Sequence, residues 1–305
     1  MMAYVQILRP LNLAIVVLTQ SIIYYLVLSP QLSQAALSPI QFGLLTLCTA
    51  IIAGSGYLIN DLYDVASDQI NKPEKSYIPR QIEIPKAWRY YYFWICLGMI
   101  IAIYLAIETH NLPLLTLYPL SIWLLWLYAR TLKKSGVKGN LIVAFMTSFV
   151  TLILIIAERH QLMKDENADL LHLLFGFACF SFLVNLAREW VKDIEDIEGD
   201  KVINSISLPI SRGIEPTKKW IHFCLATSII AVIAFQWVYP HTFHQSIFAF
   251  VFVVAPMVKA AIKLSNGREK ADFHKTANFL KLILFTGMIY LLLFSPIVKT
   301  YGIAQ

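Results

Sequence analysis

The chain has 305 residues, of which 58% are hydrophobic and 14% are charged, and its mean hydropathy is +0.62. Soluble domains carry roughly 25% charged residues, so this composition excludes an ordinary water-soluble protein and favours a multi-pass membrane protein. The formal net charge of +6 is interpreted as membrane orientation, and we expect no nucleic-acid partner. The four cysteines lie in apolar runs without metal-site spacing, which predicts buried thiols and no disulfide.

Apolar runs of about 20 residues predict an all-α integral membrane protein with nine transmembrane helices. The first run, of 19 residues, is longer than a signal-peptide core, so we predict that it is retained as a helix. Prolines fall inside the fourth and eighth runs, where membrane helices tolerate them. No soluble domain is recognisable, so residues 1–305 are treated as one domain. The predicted spans are 11–29, 41–59, 90–107, 112–129, 140–157, 170–187, 220–239, 245–262 and 277–298.

Basic residues are distributed unequally between the two sides of this predicted bundle. If the nine spans alternate in direction, all but three of the 25 lysines and arginines fall on one side; the exceptions are Arg159, Lys164 and Lys299. Basic loops remain in the cytoplasm, so the N-terminus is predicted to be cytoplasmic. The segments after the even-numbered spans then also emerge on the cytoplasmic side.

Two acidic segments follow even-numbered spans. The sequence NDLYDVASD comes after the second span, and KDIEDIEGD comes after the sixth. If each is a helix continuing out of its span, the spacing places its acidic residues in one stripe, and the topology allows the stripes to face each other. The first stripe contains Asn60, Asp64 and Asp68; the second contains Asp193, Asp196 and Asp200.

Stacked carboxylates repel one another and therefore require a positive partner. Oxygen-only ligands suit Mg²⁺, which completes its coordination with water and substrate phosphate. Two facing stripes are consistent with two or three Mg²⁺ ions around a diphosphate. The alternative is that each segment is a solvated, charged helix end, but the occurrence of two such segments at the same depth favours a functional site. An EF-hand loop is excluded because neither segment has its alternating ligands.

The segments NDxxDxxxD and DxxDxxxD resemble the paired motifs of the UbiA superfamily of intramembrane prenyltransferases. The sequence LRPLN at 8–12 and the sequence YARTLKKSGVKGN at 128–140 resemble further segments of that family. The segment AREWVKDIEDIEGDK most resembles the branch that includes digeranylgeranylglyceryl phosphate synthase. The resemblance covers nearly the whole chain. It implies nine helices around a central cavity, with the two acidic motifs binding Mg²⁺ and a prenyl diphosphate.

The resemblance and the residue chemistry indicate the same roles. Metal ligands are expected among the acidic residues of both motifs, with Asp61 less favourably placed because it points about 100° away from Asn60 on a helix. Basic side chains are expected to neutralise the leaving diphosphate. The expected metal ligands are Asn60, Asp61, Asp64, Asp68, Asp193, Asp196 and Asp200. The expected diphosphate-binding residues are Arg9, Lys72, Arg80, Lys133, Arg188 and Lys192. The expected catalytic residues are Asp64, Asp68, Asp196, Asp200 and Lys133.

These roles predict a Mg²⁺-dependent enzyme that ionises an allylic prenyl diphosphate and transfers the prenyl group to a lipophilic acceptor. The acceptor is expected to be a prenylglyceryl phosphate-like lipid or an aromatic compound, with membrane lipids around the protein. The loop after Asp68 and the segment KVINSISLPISRG depart from the family pattern. A terpene cyclase without an acceptor therefore remains an alternative. A transporter is disfavoured because the first five, the seventh and the eighth predicted spans lack an interior acidic residue.

Overall fold

The computed structural model describes residues 2–71, 76–202, 206–239 and 242–295, and within these ranges the chain contains helices and no strand. Local sequence explains where several helices begin. Ser38 caps the second long helix in a capping box with Gln41, and Pro39 occupies the first turn. A proline in the first turn loses no intrahelical hydrogen bond. The same arrangement of a cap and Gln three residues later begins the eighth long helix, with Thr242 and Gln245.

Nine long helical segments run through these described ranges. The first continues through a π turn and a short 3₁₀ turn, and the eighth contains a π turn at Ala249–Val254. Pro256 accounts for the second π turn, because proline has no N–H and its ring displaces the carbonyl four residues earlier. The segments are Pro10–Gln31, Pro39–Tyr63, Ile84–Glu108, Pro113–Arg130, Val137–Ala157, Ala168–Glu195, Ile214–Val238, Phe243–Asn266 and Lys270–Leu292.

Eight of these segments are long and apolar enough to cross a membrane. The multi-pass architecture is thus confirmed, while the count of nine spans is not. The remaining segment, Pro113–Arg130, has 18 residues. It includes prolines, tryptophans, tyrosines and Arg130, which lower its mean hydropathy without preventing a helix.

Two predicted spans were too short at the end that carries charged residues. The sixth span was expected to end at 187, but its helix extends to Glu195. The ninth was expected over 277–298, but its helix begins at Lys270 and ends at Leu292. Charged residues at the end of a span reduce hydropathy although they are compatible with a helix. The acidic motifs therefore lie on, or directly after, the helices that cross the membrane.

The chain divides into two compact units. The first contains Met1–Ser21, Ala35–Lys133 and Ile156–Glu158. Within it, helix Pro39–Tyr63 packs against Ile84–Glu108 and Pro113–Arg130. Small residues allow the close approach: a Cβ added at Gly98 would meet Ile51 Cγ2 at 3.3 Å. This packing positions the first acidic motif at the end of its central helix.

The second unit contains Ile22–Gln34, Lys134–Ile155 and Arg159–Gln305. Helix Ala168–Glu195 is central to it and packs against Lys270–Leu292 and Ile214–Val238. Its core side chains include Trp190, Val191 and Leu225, all buried. The second acidic motif therefore lies at the end of the central helix of the second unit.

A substitution at Gly136 tests the close backbone packing within the second unit. Its φ is +61°, and a Cβ at this position would lie 2.3 Å from the backbone carbonyl oxygen of Ile206. Since neither the left-handed conformation nor the backbone contact can be relieved by a side-chain rotation, we expect Gly136→Ala to lower the melting temperature in detergent by roughly 5 °C or more. Gly43→Ala is the control, because nothing lies within 4 Å of a Cβ there. Equal melting temperatures for both variants would contradict this packing.

Candidate active site

The first acidic motif bends at its middle aspartate. Helix Pro39–Tyr63 ends before Asp64, whose φ and ψ are −90° and 0°, and a short helix follows at Val65–Asn71. The predicted uninterrupted helix was therefore wrong. The backbone N–H groups of Asp64 and Asp68 nevertheless donate to the carbonyls four residues earlier, at 3.0 and 2.8 Å. The bend thus preserves the one-face spacing of Asn60, Asp64 and Asp68.

The second acidic motif has the same conformation. Helix Ala168–Glu195 ends before Asp196, whose φ and ψ are −102° and 10°, and a short helix follows at Ile197–Val202. The N–H groups of Asp196 and Asp200 also donate to the carbonyls four residues earlier, each at 2.9 Å. This region of backbone conformations is sparsely occupied and frequent at active sites. Two segments that are far apart in the chain therefore adopt the same local structure, a long helix that ends at an aspartate and is followed by a short helix.

Each bend lies at the C-terminal end of a long helix, where the helix dipole concentrates negative charge. Carboxylates at such a position are unfavourable unless cations or hydrogen-bond donors neutralise them. Both motifs place an aspartate at this point and further carboxylates within one or two turns. Local electrostatics therefore requires positive partners for both motifs, and the structure shows which side chains supply them.

Lys133 is the positive partner in the first unit. It lies in the short 3₁₀ helix Leu132–Lys134, and its ammonium forms an ion pair with Asp64 Oδ2. The same oxygen accepts a hydrogen bond of 2.8 Å from Asn60 Nδ2. Asp64 is buried, with 8% of its surface exposed. The structure therefore brings together three residues that the sequence assigned to one site.

Arg9 and Asp61 form a second pair in this unit. Arg9 Nη2 lies 2.9 Å from Asp61 Oδ1, and the guanidinium stacks 4.7 Å above the ring of Tyr57. The charges of Asp64 and Asp68 also act on Asp61. Asp61 is therefore close to the stripe and has its own basic partner.

One amide oxygen in the first motif is suited to bind a cation. Among the residues that the structure describes, Asn60 Oδ1 is buried and has no hydrogen-bond partner. A buried acceptor without a partner costs about 1–3 kcal/mol, so such groups are normally satisfied. Its position beside the Asp64 carboxylate gives the oxygen donors that Mg²⁺ prefers. The residues present therefore fit a hard divalent cation.

The second motif is held by residues whose roles the sequence analysis missed. Asn140 Nδ2 donates to Asp193 Oδ2 at 2.6 Å. Glu189, four residues before Asp193 and so on the same stripe, accepts from Arg188 at 2.7 Å and from Lys192 at 3.1 Å. Two of the six expected diphosphate-binding residues, Arg188 and Lys192, are thus paired with Glu189. The i, i+4 spacing of Glu189 and Asp193 could have identified Glu189. It was missed because Glu189 lies before the acidic segment KDIEDIEGD.

The last long helix also contacts the second motif. His274 Nδ1 lies 2.8 Å from Glu195 Oε1, and Lys270 Nζ lies 3.9 Å from Asp196 Oδ1. Nothing in the sequence pattern connected Lys270 or His274 to the motif, because both are more than 70 residues away along the chain and neither belongs to an acidic or glycine-rich segment. These contacts are a product of the tertiary fold.

The positions of the other expected site residues are described by their burial or by the cavity that they line. Asp68 and Asp200 lie half-buried on the short helices that follow the bends. Arg80 borders a cavity of about 380 Å³, together with Gln69, Ser76, Ile78 and Pro79. Lys72 lies outside the described residues. Within the described ranges, no group of three or more His, Cys, Asp or Glu side chains is gathered closely enough to hold a metal on its own.

Comparisons with known proteins give a family match over most of the chain. A model of the UbiA prenyltransferase family matches residues 21–288. The digeranylgeranylglyceryl phosphate synthase of Methanosphaera stadtmanae is 30% identical over 239 residues, which cover 78% of this chain and 81% of the relative. The synthase of Methanothermobacter thermautotrophicus is 28% identical over 291 residues, which cover 92% and 91%.

Solved structures share the fold over almost the entire chain. A structure of digeranylgeranylglyceryl phosphate synthase has a TM-score of 0.72 and 22% identity, covering 95% of this chain and 98% of that one. A UbiA homolog from Archaeoglobus fulgidus, bound to DMAPP and Mg²⁺, has a TM-score of 0.63 and 15% identity, covering 94% and 98%. At these identities the likeness establishes the fold. Together with the family match over most of its length, it shows that the chain belongs to the UbiA prenyltransferase family and is a prenyltransferase.

Proposed function

We propose that this prenyltransferase is Mg²⁺-dependent and that it transfers the prenyl group of an allylic prenyl diphosphate to a prenylglyceryl phosphate-type lipid. The observation that carries the proposal is the repeated bend, with an aspartate carboxylate at the centre of each acidic motif. Relatives named digeranylgeranylglyceryl phosphate synthase support the acceptor class. A structural neighbour bound to DMAPP and Mg²⁺ supports the cation and the diphosphate.

The residues would act as follows. Bound Mg²⁺ supplies charge neutralisation for the departing diphosphate. Its ligands would be Asn60, Asp64 and Asp68 in the first motif and Asp193, Asp196 and Asp200 in the second. Asp61 is a further candidate because it lies close to the first stripe.

Basic side chains would bind the diphosphate directly. Lys133 is the best placed of them, because its ammonium already lies beside Asp64. Arg9 offers a planar donor fork, and its stacking on Tyr57 limits its movement. Arg188 and Lys192 would have to leave Glu189 in order to contribute. Arg80 and Lys72 remain proposals from the sequence alone.

The reaction then proceeds by charge separation. The bond between the allylic carbon and the diphosphate oxygen breaks, and the electron pair leaves with the diphosphate. A hydroxyl of the glyceryl phosphate attacks the allylic carbon, forms an ether bond and loses its proton. The basic groups stabilise the charge that grows on the leaving group, which is where electrostatic catalysis is most effective.

Purified protein in detergent, supplied with labelled prenyl diphosphate and Mg²⁺, tests the proposal. We expect diphosphate release to depend on an added prenylglyceryl phosphate and the label to appear in an ether lipid. The matched control acceptor is the corresponding prenylglycerol without phosphate. Release without any acceptor, with formation of a hydrocarbon or a cyclic alcohol, would identify a terpene cyclase instead and overturn the proposed transfer.

We further propose that both acidic motifs face the cytoplasm, as the distribution of basic residues indicates. In a variant without native cysteines, Gln69→Cys and Lys201→Cys place exposed thiols on the short helices of the two motifs. Glu166→Cys places an exposed thiol just before helix Ala168–Glu195, at the end opposite the second motif. A membrane-impermeant thiol reagent added to intact cells should label only the cysteine at 166. Labelling at 69 and 201 but not at 166 would reverse the orientation.

A further inference from the structure

The beginning of the last long helix is attached to the second acidic motif by a chain of polar contacts. Asn278 Nδ2 lies 3.0 Å from His274 Nε2, and His274 Nδ1 lies 2.8 Å from Glu195 Oε1. The Glu195 side chain is only 15% exposed. Glu195 is the last residue of the central helix before the bend. His274 therefore fixes the first turns of one helix to the residue that precedes Asp196.

The loop before this helix is also held in place. Lys218 is buried, and its ammonium donates to the carbonyl of Gly267 at 3.1 Å and lies 5.7 Å from the centre of the Phe273 ring. Arg268 N and Glu269 N both donate to Asp272 Oδ2, at 3.1 and 3.2 Å. The backbone before Lys270 is thus fixed, so the Lys270 side chain starts from a defined position within reach of the bend.

Lys270 and Lys133 have corresponding positions in their own units. Each pairs with the aspartate at the bend of an acidic motif, and each comes from a different helix of the same unit: Lys133 pairs with Asp64, and Lys270 pairs with Asp196. Both aspartates end a long helix and have ψ close to 0°. The second unit therefore repeats the lysine–aspartate arrangement of the first with residues from an unrelated part of the chain.

Stability does not account for the Lys270 contact. Its side chain is 66% exposed, that of Asp196 is 58% exposed, and the closest atoms are 3.9 Å apart. An exposed pair of this geometry contributes little to folding. A solvated ammonium beside a candidate metal ligand is, however, well placed to bind a phosphate oxygen, because ligand phosphates bind next to the carboxylates that hold their counter-ions.

We propose that Lys270 binds an oxygen of the substrate diphosphate, as the counterpart of Lys133, and that His274 positions Lys270 by fixing its helix to Glu195. This inference rests on the proposed function, because it assumes that the second motif takes part in binding a diphosphate. His274 acts through another residue, while Lys270 touches the substrate.

Binding of inorganic diphosphate in the presence of Mg²⁺, measured by calorimetry on purified full-length protein, tests the role of Lys270 without any reaction. We expect Lys270→Gln to weaken binding about tenfold, because hydrogen bonds between charged groups are about twice as strong as neutral ones. Lys270→Arg should retain most of the affinity. The matched control is Lys275→Gln, an exposed position on the same helix that points about 140° away from Lys270.

The outcomes separate this inference from the proposed function. If the unaltered protein binds diphosphate with Mg²⁺ and Lys270→Gln binds it equally well, the role of Lys270 is refuted while the function stands. If the unaltered protein does not bind diphosphate at all, the proposed function fails as well. His274→Ala should weaken diphosphate binding less than Lys270→Gln, and the double variant should bind no more weakly than Lys270→Gln alone. Additive losses would refute the positioning role.

Discussion

Replacement of Asp64 or Asp196 by alanine should lower the rate of diphosphate release on the order of 10²–10³-fold, by analogy with the removal of one preorganised charge-stabilising group. Each aspartate lies at a bend, where the helix ends and a lysine approaches the carboxylate. Loss of the carboxylate removes a proposed metal ligand and leaves the lysine without its partner. Asp64→Asn should be almost as damaging, because an amide keeps the shape but loses the charge.

Glu83→Ala is the control for these variants. Glu83 precedes a long helix, is exposed, and pairs with Lys86 at 2.7 Å. Replacement of an exposed residue of this kind should change the stability little and leave the rate unaffected. Equal yield and equal melting temperature of all variants must accompany the comparison. If Asp64→Ala retained normal diphosphate release while Glu83→Ala lost it, the first acidic motif would not be the active site.

Removal of Mg²⁺ should abolish activity, and added Mg²⁺ should restore it. The expected ligands are carboxylate and amide oxygens, with no histidine or cysteine in either motif, and this donor set favours Mg²⁺ over zinc or copper. Activity in excess EDTA should therefore fall to background. Recovery should follow Mg²⁺ and should not follow Zn²⁺ at equal free concentration.

Mg²⁺ binding can also be tested without measuring enzyme turnover. A ligand that binds only the folded protein stabilises it, so Mg²⁺ together with inorganic diphosphate should raise the melting temperature. The rise should be absent with diphosphate and EDTA, and reduced in Asp64→Ala. Full turnover in EDTA, or an equal rise in melting temperature for Asp64→Ala, would show that the carboxylate stripe does not hold the ion.

Much of this protein can be read from composition and spacing alone. The hydropathy of the chain requires a lipid environment. Each apolar run of about 20 residues is expected to be a helix, because a helix satisfies all backbone hydrogen bonds within one segment. The i, i+4 and i, i+3 spacings of Asn60, Asp64 and Asp193, Asp196 survive in the structure, because the hydrogen bonds across both bends follow the helical register. The family also follows from these motifs, and the match over residues 21–288 confirms it.

The bends and the partners of the carboxylates were decided by the tertiary structure. Hydropathy cannot distinguish a continuous helix from one that bends at Asp64 or Asp196, because both place the same residues outside the membrane. The pairing of Asp64 with Lys133 spans 69 residues, and that of Glu195 with His274 spans 79. Such contacts depend on which helices pack together within each unit. The sequence by itself determined the charges that had to be neutralised at two helix ends, and only helix packing decided which lysines, amides and histidine were close enough to neutralise them.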